Sequence, residues 1–107
     1  MLHLLIVLAL LLHGIGHAVG FWMAVPSWFA VACLAPGVGF LVGGWGFWQH
    51  AAWWPAVLAA SAAASLLMLA LPTGALRQAP YGSALAFDLI VLFLLVLPWS
   101  RRLVAAL

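Results

Sequence analysis

Charge is almost absent from this sequence. Of its 107 residues only 4% are charged, whereas 70% are hydrophobic. The charged residues are Asp88, Arg77, Arg101 and Arg102. A soluble domain of average composition carries about 25% charged residues, so this chain lacks the usual means of staying dissolved, and we predict an all-α integral membrane protein. The net charge of +2 is too small and too scattered to indicate nucleic-acid binding.

Other absences remove whole classes of chemistry. The single cysteine, Cys33, excludes an internal disulfide. The sequence contains one acid and no lysine, and it shows no nucleophile elbow and no phosphate-binding loop. An enzyme built from these residues would need a metal or a cofactor, so the sequence favours a protein that is not an enzyme.

Four apolar runs are long enough to cross a bilayer, which takes about 20 residues and at least about 17. The predicted spans are 2–21, 28–48, 54–71 and 83–99. Ser27 is a candidate N-cap for the second span, and Pro55 fits the first turn of the third. Because the loops are short, consecutive spans should be antiparallel neighbours. We therefore expect residues 1–107 to form a single transmembrane domain, an antiparallel four-helix bundle in the lipid bilayer.

The aromatic residues agree with this assignment, since tryptophan and tyrosine favour the two membrane interfaces. With four spans, one interface receives Trp22, Trp28 and Tyr81. The other interface receives Trp45, Trp48, Trp53, Trp54 and Trp99. Arg101 and Arg102 follow the last span, and Arg77 lies on the opposite side. The excess of positive charge beside the termini predicts that both are cytoplasmic.

Small residues should bring the helices together, because helix association in lipid depends on close packing. The candidate packing positions are Gly16, Gly20, Gly39, Gly43, Ser61 and Ser65. Pro36, followed by Gly37, should kink the second span and free the carbonyl of Ala32. The kink is either a packing device or an opening that lines a site.

Five polar side chains fall at one depth when residues are counted from the outer end of each span at about 1.5 Å per residue. They are His13, His17, Cys33, Ser65 and Asp88. His13 and His17 are four residues apart, so their imidazoles face the same side of a helix. A buried, unpaired carboxylate is costly, so Asp88 must be protonated or paired, and the two histidines are its expected partners.

Three functions are compatible with this layer. A transition-metal site would bind zinc, iron or copper through His13, His17, Asp88 and Cys33. A proton relay for a small solute would use the two histidines and the acid without the cysteine. Haem is supported less well, because histidines four apart on one helix cannot take opposite axial positions. Only His3 and His50 remain for a shallow haem site.

A structural role is the remaining alternative. The same polar side chains could fix the register of the helices through hydrogen bonds, with no ligand at all. The chain would then be an accessory subunit that packs laterally against other membrane subunits, or against copies of itself. Lateral contact is expected because almost nothing in the chain extends beyond the lipid.

The motif H-G-x-x-H-x-x-G-F, formed by His13 to Phe21, resembles the first span of a family of small bacterial membrane proteins with four spans. Those proteins also begin their last span with an aromatic residue, glycine and serine or threonine, here Tyr81-Gly82-Ser83. The resemblance is limited to the two ends of the chain. It implies a four-span fold in a bacterial inner membrane, and it implies no activity, since the family has none established.

Overall fold

The structure is a computed structural model that describes residues 1–97 and 101–106, and it is helical with no strand within those ranges. The α-helices are α1 (Leu2–Gly16), α2 (Ser27–Ala32), α3 (Leu34–Trp48), α4 (Trp54–Leu69), α5 (Ala79–Val96) and α6 (Arg101–Ala105). A 3₁₀ helix continues α1 over His17–Trp22, and a second 3₁₀ helix, Ala75–Arg77, precedes α5. The predicted all-α fold class is confirmed.

Three described stretches are long and apolar enough to cross a membrane: Leu2–Trp22, Ser27–Trp48 and Ala79–Val96. The remaining apolar helix, α4, has only 16 residues. At about 1.5 Å per residue it is about 24 Å long, which is shorter than a hydrocarbon core of about 30 Å. Length and composition therefore support three of the four predicted spans.

The helix ends differ from the sequence prediction in α4 and α5. Helix α4 ends at Leu69, two residues early. Helix α5 begins at Ala79, four residues early, because Pro80 occupies the first turn, where its missing N–H leaves no hydrogen bond unmade. It ends at Val96, and Trp99, predicted as the end of the fourth span and as an interfacial residue, lies outside the described residues.

The second apolar run is broken at Cys33, where α2 ends and α3 begins. Pro36 has no N–H to donate to the carbonyl of Ala32, so one rung of the helical ladder is missing. The ladder resumes where the N–H of Gly37 donates to the carbonyl of Cys33 at 3.3 Å. The structure thus shows the second span interrupted next to Pro36, where the sequence predicts a kink.

The long helices pack in series: α1 packs on α3, α3 on α4, and α4 on α5. The Ser27–Trp48 stretch lies at the centre, and 50% of its most apolar segment is buried inside the protein. The corresponding share is 22% for Leu2–Trp22 and 11% for α5. Helices α1 and α5 are therefore peripheral, and they make no comparably extensive contact with each other.

Glycines mark the crossing of α1 and α3. A Cβ atom added to Gly14 would lie 2.9 Å from the carbonyl oxygen of Gly37. A Cβ atom added to Gly37 would lie 2.7 Å from the Cβ of His17. Both distances are shorter than real Cβ contacts, so this crossing requires glycine on both helices.

The predicted packing residues differ in what they contact. A side chain on Gly39 would collide with Ser61, whose hydroxyl donates to the carbonyl of Val57 in its own helix at 2.7 Å. A side chain on Gly43 would collide with Leu58. A Cβ on Gly16, in contrast, would meet no atom within 4 Å. The contact expected of Gly16 is therefore not made there, and Gly14 makes it instead.

Two apolar clusters form the core. The first contains Val7, Leu10, Phe40, Phe47, Leu58 and Ala62. The second contains Phe29, Cys33, Leu69, Ala75 and Tyr81, near the end where α1 stops and α5 starts. At that same end Gln78 joins two loops: its amide oxygen accepts from the N–H of Ala24 at 3.1 Å, and its amide nitrogen donates to the Ala24 carbonyl at 3.3 Å. This bond holds the residue 23–26 loop against the residue 70–78 loop.

Candidate functional site

The only acid of the chain, Asp88, is completely buried on α5. Its Oδ1 is hydrogen-bonded to Nε2 of His13 on α1, with 2.9 Å between the two atoms. The pairing predicted from depth and from the cost of a buried carboxylate is confirmed. This hydrogen bond links the two peripheral helices.

His17 completes a cluster with this pair. Ligand atoms of His13, His17 and Asp88 all lie within 4.8 Å of one another. Nε2 of His17 and Oδ2 of Asp88 are buried, and neither has a hydrogen-bond partner among the described residues. Buried polar atoms without partners are costly, and a cation bound between these three side chains would satisfy both.

Aromatic rings hold the two imidazoles in place. His13 stacks on Phe87, with 4.1 Å between the ring centroids, and meets Phe40 edge-on at 4.5 Å. His17 stacks on Phe40 at 5.6 Å and meets His13 edge-on at 5.0 Å. The apolar rings restrict the orientation of both imidazoles. They also surround the cluster with apolar groups, which stabilise charge poorly.

Cys33, the fourth ligand predicted from the sequence, does not belong to this cluster. It is buried against Phe29, Leu69 and Tyr81 in the second apolar cluster. Depth along a span cannot determine which way a side chain points, and here the helix is interrupted at Cys33 itself. Cys33 and Ser65 both line the cleft described next.

A cleft of about 430 Å³ opens beside the cluster, between α1 and α5. His13 and His17 line it, whereas Asp88 is not among its lining residues. Its other walls are mainly apolar, and they include Ala9, Leu12, Leu69, Ala84 and Phe87. The volume falls in the range of ligand-binding pockets, about 300–1,000 Å³. An ion bound by the three side chains would therefore be reachable from the cleft.

Tyr81 is a site residue that the sequence did not predict as such. It was expected at the membrane interface, but its side chain is only 5% exposed. Its hydroxyl lies so close to Gly20 that a Cβ on that glycine would be 2.9 Å away. The hydroxyl has no hydrogen-bond partner among the described residues, and Tyr81 lines the cleft. The one feature of the sequence that could have indicated this burial is Gly20, because a glycine there leaves space for the phenol ring.

His3 and His50, the candidate haem pair, lie together at the opposite end of α1. Their rings are stacked, with centroids 4.7 Å apart and planes inclined by 25°. His3 also stacks on Phe47 at 4.4 Å. A face-to-face pair at this separation leaves no room for a porphyrin between the two rings.

The central cluster offers two imidazoles and one carboxylate at the wall of an apolar cleft. Nitrogen and carboxylate oxygen ligands suit zinc, iron and copper, and three protein ligands leave a coordination position for another group. The same set, without an ion, is a hydrogen-bonded acid and base buried among aromatic rings. Comparison with protein-family models, with curated proteins and with solved structures finds no match for this chain.

Proposed function

We propose that this chain is a membrane protein that binds one divalent transition-metal ion through His13, His17 and Asp88. The observation that supports this most strongly is the cluster itself, whose ligand atoms lie within 4.8 Å of one another. Nε2 of His17 and Oδ2 of Asp88 are buried and have no hydrogen-bond partner among the described residues. Zinc, iron and copper are the ions that this donor set suits.

Small movements would be enough to accommodate an ion. Zinc binds imidazole nitrogen and carboxylate oxygen at about 2.0–2.2 Å, so its ligand atoms must lie within about 4.4 Å of one another. The His13–Asp88 hydrogen bond would have to open slightly, and His17 would have to move toward the pair. The stacking of His13 on Phe87 limits that movement to small changes in orientation.

We further propose that the four long helices cross a bacterial inner membrane as an antiparallel bundle with both termini in the cytoplasm. The exposed side chains on α1 include Leu4, Leu8 and Leu12, which suit contact with lipid or with another membrane subunit. Helix α4 is packed between α3 and α5. A helix shorter than the hydrocarbon core is tolerated at modest cost when the bilayer thins locally.

Metal binding is tested on protein purified in detergent after removal of adventitious metal. Zinc content is measured by mass spectrometry, and Co²⁺ is titrated as a visible-light reporter of the ligand set. We expect one ion per chain, and an affinity at least tenfold lower for His17→Ala and for Asp88→Ala. His3→Ala is the matched control, because it removes a histidine of the same helix at the far end.

Two results would contradict the proposal: wild-type protein that retains no zinc and shows no cobalt spectrum, or an equal loss of affinity in His3→Ala and His17→Ala. The Asp88→Asn variant adds a check on folding, since an amide fills the same space as the carboxylate. It should keep the helical content of the wild type and still bind metal more weakly.

A proton relay is a second candidate, favoured by the 2.9 Å hydrogen bond between His13 and Asp88. A buried acid hydrogen-bonded to an imidazole is the minimal unit of such relays. Proton flux through metal-free protein in vesicles, lost in Asp88→Asn and kept in His3→Ala, would favour this candidate over the metal site.

A further inference from the structure

The cleft between α1 and α5 has a polar end and an apolar end. Tyr81 lies in the first turn of α5, and its buried hydroxyl has no partner among the described residues. Phe87 lies nearly two turns further along the same helix, and Ala9 and Leu12 lie opposite on α1. Apart from His13 and His17, the cleft is apolar in the interior of the proposed bilayer, and the tyrosine with the unpaired hydroxyl lies toward its other end.

The hydroxyls of Tyr81 and Ser83 differ in whether they have a hydrogen-bond partner within the protein. Ser83 also lines the cleft, but its hydroxyl donates to the carbonyl of Ala79 in its own helix. The Tyr81 hydroxyl lies beside Gly20, where an added Cβ would be only 2.9 Å from it. A buried donor that stays unpaired costs free energy, so a ligand that brings an acceptor to this point gains from it.

We propose that the cleft binds a membrane-dissolved amphiphile whose terminal carbonyl oxygen accepts a hydrogen bond from Tyr81. Its apolar body lies along Ala9, Leu12 and Phe87, and it enters sideways from the lipid between α1 and α5. The carbonyl belongs to an ester lipid or to a quinone, which share this acceptor chemistry. The site adjoins the proposed metal centre, because His13 and His17 also line the cleft. None of the residues named for the amphiphile is itself a metal ligand, so the two kinds of binding can be tested separately.

Gly16 gives a way to block the cleft without disturbing the core. It lines the cleft, and a Cβ added to it would meet no atom within 4 Å. Its backbone is helical, with φ −59° and ψ −23°, so any residue can adopt the conformation. A leucine at this position should project into the cleft. Gly82 is the matched control, because its added Cβ is equally free and it does not line the cleft.

The experiment measures binding of tritiated methyl dodecanoate to the purified protein, immobilised in an alkyl maltoside detergent that contains no carbonyl group. Unlabelled methyl dodecanoate, decylubiquinone and dodecane serve as competitors. We expect the ester or the quinone to compete and dodecane not to, and the stronger of the two carbonyl competitors identifies the source. Equal competition by dodecane would overturn the carbonyl anchor.

The variants test each part of the proposal. Tyr81→Phe should weaken binding at least tenfold and Gly16→Leu should abolish it, whereas Ser83→Ala and Gly82→Leu should bind as the wild type does. Unchanged binding in Tyr81→Phe, or in Gly16→Leu, would overturn the site. Tyr81→Phe should retain the metal affinity of the wild type. Loss of amphiphile binding alone therefore separates this site from the metal centre.

Discussion

At the scale of single residues, the pair of His13 and Asp88 connects the first and last helices of the series. Asp88 is fully buried, and its hydrogen bond to His13 joins two helices that have little other contact. Hydrogen bonds between helices in membrane proteins contribute about 0.6 kcal/mol on average and at most about 1.7 kcal/mol. A pair that involves an ionisable group in an apolar setting belongs near the upper end of that range.

We expect a coupling free energy of about 1 kcal/mol or more between His13 and Asp88. It is measured with the variants His13→Ala, Asp88→Ala and the double variant, by reversible unfolding in mixed micelles. The cycle cancels the loss of packing that each single change causes. His3→Ala combined with Asp88→Ala is the control cycle, because His3 lies about 15 Å along α1 from His13. The two changes should add within about 0.5 kcal/mol, and equal coupling in both cycles would show that the contact contributes nothing specific.

The residues of this site differ in how readily the sequence predicts that they belong to it. His13, His17 and Asp88 stand out because ionisable groups are expensive inside an apolar span. Tyr81 does not stand out, since one tyrosine near the end of a span is typical of a membrane interface. Its burial depends on the space at Gly20 and on the second apolar cluster, which are properties of the assembled helices.

At the scale of helices, the crossing of α1 and α3 depends on Gly14 rather than Gly16. Successive residues of a helix are separated by about 100°, so Gly14 and Gly16 point in nearly opposite directions. Only one of them can face α3. The sequence offers both a Gly16–Gly20 pair and a lone Gly14, and pairs four apart are the better known packing signal. The sequence therefore predicts close packing through glycine, and Gly20 packs in that way against Ala30, but the glycine that faces α3 is Gly14 rather than Gly16.

Alanine at these two positions should have opposite effects. Gly14→Ala places a methyl group 2.9 Å from the carbonyl oxygen of Gly37, and overpacking of this kind costs about 1–3 kcal/mol. Gly16→Ala meets open space and removes the entropic cost of glycine in a helix, so it should stabilise by up to about 1 kcal/mol. Unfolding of both variants in the same micelles checks this. Equal destabilisation of both would mean that α1 packs on α3 in a different rotation.

At the scale of the whole molecule, the helices form an open series rather than a closed ring. Helices α1, α3, α4 and α5 pack each on the next, and the cleft separates the first from the last. The sequence predicts the helices because their lengths follow from apolar runs. It cannot predict the gap, since almost every face of these helices is apolar and no periodic polar stripe shows which faces meet.

The two loops at the cleft end should face the same compartment if all four long helices cross the membrane. The side-chain amide of Gln78 accepts a hydrogen bond from the N–H of Ala24 and donates one to the Ala24 carbonyl, so these loops are held together.

The test places single cysteines by Ala24→Cys, Leu76→Cys and Ala52→Cys in a Cys33→Ala background, since the native thiol is buried. Intact bacterial cells are treated with a maleimide that cannot cross membranes. We expect Ala24→Cys and Leu76→Cys to react in intact cells and Ala52→Cys to react only after lysis, which corresponds to cytoplasmic termini. If α4 does not cross, Ala52→Cys and Leu76→Cys will instead react under the same condition, and the four-span arrangement will be wrong.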